Sequence, residues 1–274
     1  MCFIFLNGVY CFLQGCVGED AFGKQLEDCA SADGVLAHYM KDKETPTGTC
    51  AVLVNGGERS LVANLAAANN FKPSHLETDL AKEIYTSADF YYIAGFFLTV
   101  SVESLKIIAD HAVEKNKTFC LNFSAPFIVD FFGEQLATAM PYTDFVFANE
   151  SEAEAYAKKN GLGGESCDLK QVALEVAKMP KANASKPRTV VFTQGSESTI
   201  VACDGVVKEY AVDPLPKEDL VDTNGAGDAF VGGFLSVLVG GGSVEAAVQA
   251  GHYAARVIIQ RSGCTFPEKC DYKF

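Results

Sequence analysis

The chain has 274 residues, of which 49% are hydrophobic, and a formal net charge of −13 at pH 7. This length and composition fit one large α/β domain with a small appendage and exclude a wholly disordered chain. The negative charge argues against nucleic acid and anionic membranes as main partners, so we expect neither.

The hydrophobic pattern of the first seventy residues predicts four elements. In chain order they are Val9–Cys16 as a buried strand, Asp20–Cys29 as a helix, and Cys50–Val54 and Ser60–Leu65 as two short strands. Asn55-Gly56-Gly57 between the last two is typical of a hairpin turn. We therefore predict a small lid hairpin over residues 46–69.

From residue 76 onward, helices and strands alternate, which indicates βαβ units and a mostly parallel sheet. The predicted helices are Leu76–Ser87, Val102–Lys115, Phe127–Ala137, Glu150–Lys159, Asp168–Lys178, Ala226–Val239 and Val244–Arg261. The predicted strands are Phe90–Ala94, Thr118–Asn122, Phe145–Ala148, Thr189–Thr193, Ser198–Cys203 and Val206–Val212. The sequence thus predicts an α/β core formed by residues 9–45 and 70–274.

The pattern of cysteines indicates the cellular compartment of the protein. The ten cysteines are spread singly, without a C-x-x-C pair, which is typical of reduced thiols and not of a disulfide framework or a zinc site. Residues 1–18 carry no charge, but no basic residue precedes them and no cleavage site is evident, so we interpret them as a strand and not as a secretory signal. We expect a cytoplasmic protein, and a nuclear fraction is compatible with the sequence.

A glycine turn stands directly before the apolar run Ala226–Val239. Free N–H groups in such a turn, together with the helix dipole, suit a transferring phosphoryl group, and Asp228 is placed to take a proton from an attacking hydroxyl. These residues alone are equally compatible with an ordinary αβ connection that has an acidic first turn. The chain contains no P-loop, and Phe230 stands where a Rossmann fingerprint needs its third glycine.

Asp222–Phe234 resembles the C-terminal signature of the ribokinase-like (PfkB) carbohydrate and nucleoside kinases, and Gly15–Gly23 is similar to the early G-x-x-G-x-D-x-F-G segment of that family. The resemblance runs in order from about residue 15 to residue 274, and it is strongest to members that phosphorylate adenosine. Further matching segments are Pro46–Cys50, Arg59–Asn69, Tyr92–Ser101, Ser124–Ile128, Phe192–Gly195, Ala250–Ala254 and Gly263–Lys269.

The resemblance implies a ribokinase-like three-layer sandwich with a mostly parallel sheet and a small β lid. It implies transfer of the ATP γ-phosphoryl group to the 5′-hydroxyl of adenosine, giving AMP in purine salvage, by a monomer that uses ATP and Mg²⁺. Two alternatives stay open at this point: another nucleoside or sugar kinase of the family, and an inactive truncated form.

The resemblance also implies the roles of individual residues. Asp228 would be the catalytic base, which the helix start keeps ionised at the cost of basicity. The phosphate groups would be held by Gly225, Ala226, Gly227 and Arg59, and the rest of ATP by Asn224, Thr193, Gly195 and His252. Adenosine would lie against Phe96, Phe127, Leu61, Ala63 and Leu65. Asn149 and Glu152 would hold the magnesium environment, through water, although they also fit a helix capping box.

Before Gly15 the sequence departs from the family pattern. The first core strand with its ribose-binding Asp, a pair of lid strands and a Gly-Gly turn find no counterpart, and residues 1–9 resemble an unrelated lead-in. We therefore expect a chain without the N-terminal portion of the family, as a genuine short form or through a misplaced start. Loss of a central strand is expected to expose a sheet edge, leave the lid incomplete and weaken nucleoside binding.

Overall fold

The computed structural model of the protein describes residues 2–6, 10–55, 58–268 and 270–272. Its strands are β1 (Cys2–Leu6), β2 (Cys11–Gly18), β3 (Val35–Ala37), β4 (Met40–Asp42), β5 (Thr49–Asn55), β6 (Glu58–Asn64), β7 (Phe90–Ala94), β8 (Thr118–Asn122), β9 (Phe145–Asn149), β10 (Thr189–Gln194), β11 (Glu197–Cys203) and β12 (Val206–Tyr210). Its α-helices are α1 (Ala21–Ala32), α2 (Pro73–Leu76), α3 (Asp79–Ser87), α4 (Val102–Glu114), α5 (Pro126–Phe131), α6 (Gly133–Ala139), α7 (Glu150–Asn160), α8 (Leu169–Lys178), α9 (Ala226–Val239) and α10 (Val244–Ile259).

Ten of these strands form one sheet in the order β12-β11-β10-β9-β8-β7-β1-β2-β3, and β4 also pairs with β2. The strands β7, β8, β9 and β10 are parallel to one another. β1 is antiparallel to both β2 and β7, so β2 points in the same direction as β7. The carboxyl ends of β2 and of β7–β10 therefore lie at one edge of the sheet, where open α/β sheets bind their ligands.

The gap that the sequence predicts in the sheet is filled by residues 2–6, although these residues lie in the lead-in that does not match the family pattern. β1 pairs with β2 along its whole length and with β7 over Phe3–Leu6. It therefore fills the space between these strands and pairs with their backbone N–H and C=O groups. A strand without charged side chains suits this central position, because the middle of a sheet is covered on both faces.

Helices cover both faces of the sheet, and alternate residues of each central strand face opposite cores. Tyr91 and Ile93 on β7 pack in the core that also holds residues of α4, α7 and α8. Tyr92 packs in the second core, with Phe230 and Phe234 of α9 and residues of α10. This arrangement confirms the predicted α/β three-layer fold with a mostly parallel sheet.

β5 and β6 form a separate antiparallel pair, as the hairpin signal predicted. The turn residues Gly56 and Gly57 lie outside the described residues. Both faces of the hairpin expose apolar side chains, for example Leu61 on one face and Val62 on the other. Two strands alone rarely form a stable sheet, so the hairpin depends on its attachment to the rest of the chain.

None of the helices in the described part of the chain has both the length and the apolar composition needed to cross a bilayer.

Candidate active site

The carboxyl edge of the sheet gathers several of the residues that the sequence singles out. Phe96 follows β7, Phe127 lies in the first turn of α5 after β8, and Asn149 ends β9. Thr193 pairs with Asn149 near the end of β10, and Gly195 follows in the turn to β11 with φ +58°. Residues far apart in the sequence thus lie along one edge because their strands are parallel.

The glycine turn before α9 has the backbone that an anion site requires. Gly225 caps the helix with φ +76°, a conformation that an L side chain adopts only with strain. A Cβ atom there would also lie 2.9 Å from Cys264 Sγ. Of the first amides, the Ala226 N–H donates a long bond of 3.3 Å to the Thr223 carbonyl. The N–H groups of Gly225 and Gly227 have no hydrogen-bond partner among the described residues, so they can bind an anion.

Hydrogen bonds to the end of α10 hold this turn in place. The N–H groups of Val221 and Asp222 both donate to the Ile259 carbonyl, at 2.9 and 3.2 Å. Asn224 donates its N–H to Asp222 Oδ1 at 2.8 Å. The turn is thereby fixed before a ligand arrives, which lowers the entropy cost of binding.

Asp228 stands in the first turn of α9 and faces a cavity of about 380 Å³. Although the residue keeps contact with solvent, partial loss of its hydration raises the pKa of this carboxyl above its ordinary value. No hydrogen bond from a described residue offsets that loss. This loss of hydration acts on the pKa of Asp228 in the direction opposite to the effect expected from the helix start.

Asn149 and Glu152 form a complete capping box at the start of α7. Asn149 Oδ1 accepts from the Glu152 N–H at 2.9 Å, and Glu152 Oε2 accepts from the Asn149 N–H at 3.0 Å. The remaining oxygen, Glu152 Oε1, accepts from Asn149 Nδ2 at 2.9 Å. Burial, above all, together with the charges of Glu150 and Asp228, raises the pKa of Glu152 to about 7. The charge of Asp228, in the first turn of α9, therefore acts on the carboxyl group of the capping box.

Phe96 and Phe127 lie together at the ends of β7 and β8. Their ring centroids are 5.9 Å apart, and both rings are partly exposed, at 38% and 44%. Gly95 makes this approach possible, because a Cβ atom there would lie 2.4 Å from the Phe123 carbonyl oxygen. Two exposed aromatic faces at one edge suit a flat heterocycle, which would cover apolar surface that now contacts water.

The cavity at Asp228 is lined mainly by apolar side chains of α10 and the C-terminal segment, among them Tyr253, Val257, Cys264 and Phe266. These residues were not predicted individually, although the matched segments Ala250–Ala254 and Gly263–Lys269 contain all of them except Val257. His252 does not line the cavity. Its Nε2 lies 2.8 Å from Thr199 Oγ1, and its ring packs on Phe230. The structure therefore places His252 between α9 and β11.

The residues predicted on the lid lie on or next to β6. Leu61 and Ala63 share one face of the strand, and Leu65 follows its end, at the start of the short 3-10 helix Ala66–Asn70. All three are exposed. Arg59 pairs with Val54 on the hairpin, but its side chain lies outside the described part of the structure.

The chemistry of these groups suits a magnesium–phosphate complex more than a metal bound by protein alone. Among the described residues, no group of three or more His, Cys, Asp or Glu side chains could hold a metal ion. Mg²⁺ prefers oxygen ligands and commonly takes phosphate and water in addition to one or two carboxylates. Asp228 and Glu152, which repel each other electrostatically, are such carboxylates, and the capping bonds of Glu152 favour contact through water.

The pfkB family carbohydrate kinase model matches residues 7–270 of the chain. Adenosine kinase 1 of Arabidopsis thaliana is 52% identical over 258 residues, which cover 94% of this chain and 74% of that protein. Anopheles gambiae adenosine kinase, solved in complex with P1,P4-di(adenosine-5) tetraphosphate, has a TM-score of 0.90 and 44% identity, over 94% of this chain and 76% of that one. Adenosine kinase from Schistosoma mansoni, in complex with 2-fluoroadenosine, has a TM-score of 0.90 and 33% identity, over 94% of this chain and 75% of that one.

Proposed function

Because the chain belongs to the pfkB family of carbohydrate kinases, we propose that it transfers the γ-phosphoryl group of ATP to the 5′-hydroxyl of adenosine, with ADP as the leaving group and AMP as the second product. The relatives of highest identity described above are named adenosine kinases, which favours this substrate over a sugar. The observation that carries the proposal is the turn at Gly225–Gly227, whose free amides lie next to Asp228 at the cavity.

In this reaction Asp228 accepts the proton of the 5′-hydroxyl as the hydroxyl oxygen attacks the γ-phosphorus. A carboxyl with a raised pKa takes that proton more readily than an ordinary aspartate, as long as it is ionised when the substrate binds. The amides of Gly225, Ala226 and Gly227 stabilise negative charge on the transferring group. Phe96 and Phe127 hold the adenine ring of the acceptor.

The rest of the site follows the same proposal. Asn224, Thr193, Gly195 and His252 support the ATP side, and Arg59 reaches the phosphates from the lid formed by residues 46–69. Leu61, Ala63 and Leu65 cover the nucleoside. Asn149 and Glu152 would hold Mg²⁺ through water, and the ion, when bound with ATP, would neutralise phosphate charge. We also propose a monomer located in the cytoplasm, with a nuclear fraction.

A coupled enzyme assay of AMP or ADP production from adenosine, ATP and Mg²⁺ tests the function. We expect Asp228→Asn to lower kcat by about a thousandfold, because it removes the base and keeps the shape of the side chain. The matched control is Asp79→Asn, which removes an exposed first-turn acid from α3 and is expected to leave kcat unchanged. Asp228→Asn at wild-type activity would rule out this base. A panel of other nucleosides and simple sugars decides the substrate, and preference for a sugar would contradict the proposal.

A further inference from the structure

The carboxylate of Asp20 joins three segments of the chain at the end of β2. Its Oδ1 accepts from the Gly23 N–H at 2.8 Å, which caps α1, and from the Thr47 hydroxyl at 2.7 Å. Its Oδ2 accepts from the Thr47 N–H at 2.7 Å. Thr47 in turn accepts the Gly18 N–H on its Oγ1 at 3.0 Å. One side chain thus links the last residue of β2, the first turn of α1 and the segment that leads into the hairpin β5–β6. We call this arrangement the Asp20–Thr47 clasp.

Backbone contacts leave little space at the clasp. Thr47 is only 5% exposed. A Cβ atom on Gly18 would lie 2.6 Å from the Thr47 nitrogen, and one on Gly23 would lie 2.3 Å from the Gly18 carbonyl oxygen. Both glycines are therefore required for this close approach. The close approach of the backbone at the clasp thus explains why the early segment Gly15–Gly23 has glycine at positions 18 and 23.

A second set of contacts holds the returning leg of the hairpin to the entering leg. A Cβ atom on Gly48 would lie 2.6 Å from the Leu65 carbonyl oxygen, so the two legs touch at their base. The Ala67 N–H donates to the Pro46 carbonyl at 3.0 Å. Asn70 Nδ2 donates to Asp42 Oδ2 at 2.6 Å and to Thr45 Oγ1 at 3.0 Å. Both legs are thus tied to the ends of β2 and β4, and the hairpin has no other strand partner among the described residues.

The clasp lies at the carboxyl edge of the sheet, where Phe96, Phe127 and Asn149 also lie. We propose that Asp20 is a positioning residue for phosphoryl transfer: through Thr47 it fixes the direction in which the hairpin β5–β6 leaves the core toward the nucleoside. This inference rests on the proposed function. Hydrogen bonds from Thr47 also lower the pKa of Asp20, so the carboxylate is ionised and accepts all of its bonds at neutral pH.

The clasp can be broken without loss of the helix cap. Asp20→Asn keeps an oxygen for the Gly23 N–H, since Asn is as good an N-cap as Asp, but it can place an NH₂ group against the Thr47 N–H. Thr47→Val removes the hydroxyl and keeps the shape. Thr47→Ser restores the hydroxyl and serves as the conservative rescue. Asp168→Asn changes the N-cap of α8, another aspartate that caps a helix, and is the matched control.

Two measurements test the proposal, steady-state kinetics and hydrogen–deuterium exchange. For Asp20→Asn and Thr47→Val we expect the KM for adenosine to rise about tenfold, with kcat and the KM for ATP within about threefold of wild type. We expect the amides of β5 and β6 to exchange about tenfold faster, while those of β8 and β9 do not change. Thr47→Ser and Asp168→Asn should resemble wild type in both measurements.

The exchange data do not depend on turnover, so the two proposals can fail separately. Unchanged exchange in β5 and β6, in folded Asp20→Asn and Thr47→Val, would overturn the positioning role. Faster exchange spread evenly over the whole sheet would overturn it as well, because it would indicate a general loss of stability. A wild-type chain that turns over no adenosine would contradict the proposed function alone, and the exchange of the hairpin would still decide the role of Asp20.

Discussion

At the scale of single residues, Glu152 carries the largest electrostatic conflict of the site. It is 4% exposed, and its pKa is raised to about 7, first by burial and then by the neighbouring charges of Glu150 and Asp228. The folded protein therefore holds a proton on Glu152 at pH values where an unfolded chain has lost it. Ionised Glu152 suits a magnesium environment, so we expect metal–nucleotide binding to strengthen as the pH rises through 7.

The stability of the protein should depend on pH through this residue. Because the pKa is raised from 4.5 to about 7 on folding, the favourable contribution is complete below pH 4.5 and is lost as the pH rises through about 7. We expect the free energy of unfolding of Glu152→Gln, relative to wild type, to increase by roughly 3 kcal/mol across that interval. Urea unfolding at several pH values measures it. The control Glu154→Gln, an exposed residue of the same helix, should follow wild type, and a Glu152→Gln curve parallel to wild type would contradict the prediction.

Sequence could predict the partners of this residue but not its protonation. Asn149 and Glu152 are three positions apart, so their contact is local and a capping box follows from the pattern. The burial of Glu152 depends on helices and strands that are distant in sequence, and so does the charge of Asp228 beside it. The same reason applies to the pKa of Asp228. The start of the helix is evident from the local sequence, whereas the loss of hydration depends on the tertiary structure.

At the scale of elements, the packing of α9 on α10 supports the glycine turn that precedes α9. A Cβ atom on Gly233 of α9 would lie 2.4 Å from the Ala250 carbonyl oxygen, and one on Gly251 of α10 would lie 2.7 Å from the ring of Phe230. Each helix therefore presents a glycine where its partner approaches. The end of α10 also accepts the two hydrogen bonds that fix Val221 and Asp222. A shift of α10 would thus move the anion-binding amides.

Two neighbouring glycines of α9 should respond in opposite ways to alanine. We expect Gly233→Ala to lower the free energy of unfolding by about 3 kcal/mol, because its methyl group meets the backbone of α10. Gly232→Ala faces open space and should raise the free energy of unfolding by about 0.5–1 kcal/mol through helix propensity. Chemical denaturation of the two variants measures both effects. Equal effects at the two positions would contradict the packing described here.

Apolar strands of five residues and the apolar helix α9 could be predicted from sequence, whereas interruptions of helices and three-residue strands could not. Phe90–Ala94, Thr118–Asn122 and Ala226–Val239 have the predicted bounds. Of the predicted helix Leu76–Ser87, only Asp79–Ser87 forms α3, because Thr78 caps a new helix, and Leu76 is the last residue of α2. Phe127–Ala137 divides similarly at Phe132. The strands β3 and β4 have three residues each, too few for an alternating pattern, and they exist only because β2 offers them partners.

At the scale of the whole molecule, β1 makes one sheet of two parts. On one side lie β2, β3 and β4, with the clasp at the end of β2, and on the other lie β7–β12, with Phe96, Phe127 and Asn149 at or after the ends of β7, β8 and β9. Without β1 these two parts would share no backbone pairing within the described sheet. The position of the hairpin β5–β6 relative to the carboxyl ends of β7–β10 therefore depends on the five residues of β1.

A proline in β1 should separate the two parts. We expect Ile4→Pro to lower the free energy of unfolding by at least about 3 kcal/mol, because a central strand cannot lose an N–H group without loss of a ladder bond. Ile4→Thr keeps the N–H group and a β-branched side chain and is the control. Hydrogen–deuterium exchange should show faster exchange in β2 and β7 of the proline variant. Wild-type exchange there would mean that β1 contributes nothing to the sheet.

The direction of β1 has a practical consequence for anyone who handles the protein. Since β1 is antiparallel to β7, its first residue, Cys2, lies at the carboxyl edge of the sheet, next to the end of β7. A segment joined ahead of Cys2 would start at this edge. The other end of the chain is no safer, because Cys270 lines the cavity at Asp228. An affinity tag or fluorescent fusion at either terminus would therefore be joined close to the carboxyl edge of the sheet or to this cavity. The exposed turn at Asp204 and Gly205, between β11 and β12, lies at the opposite edge and is the better point of attachment.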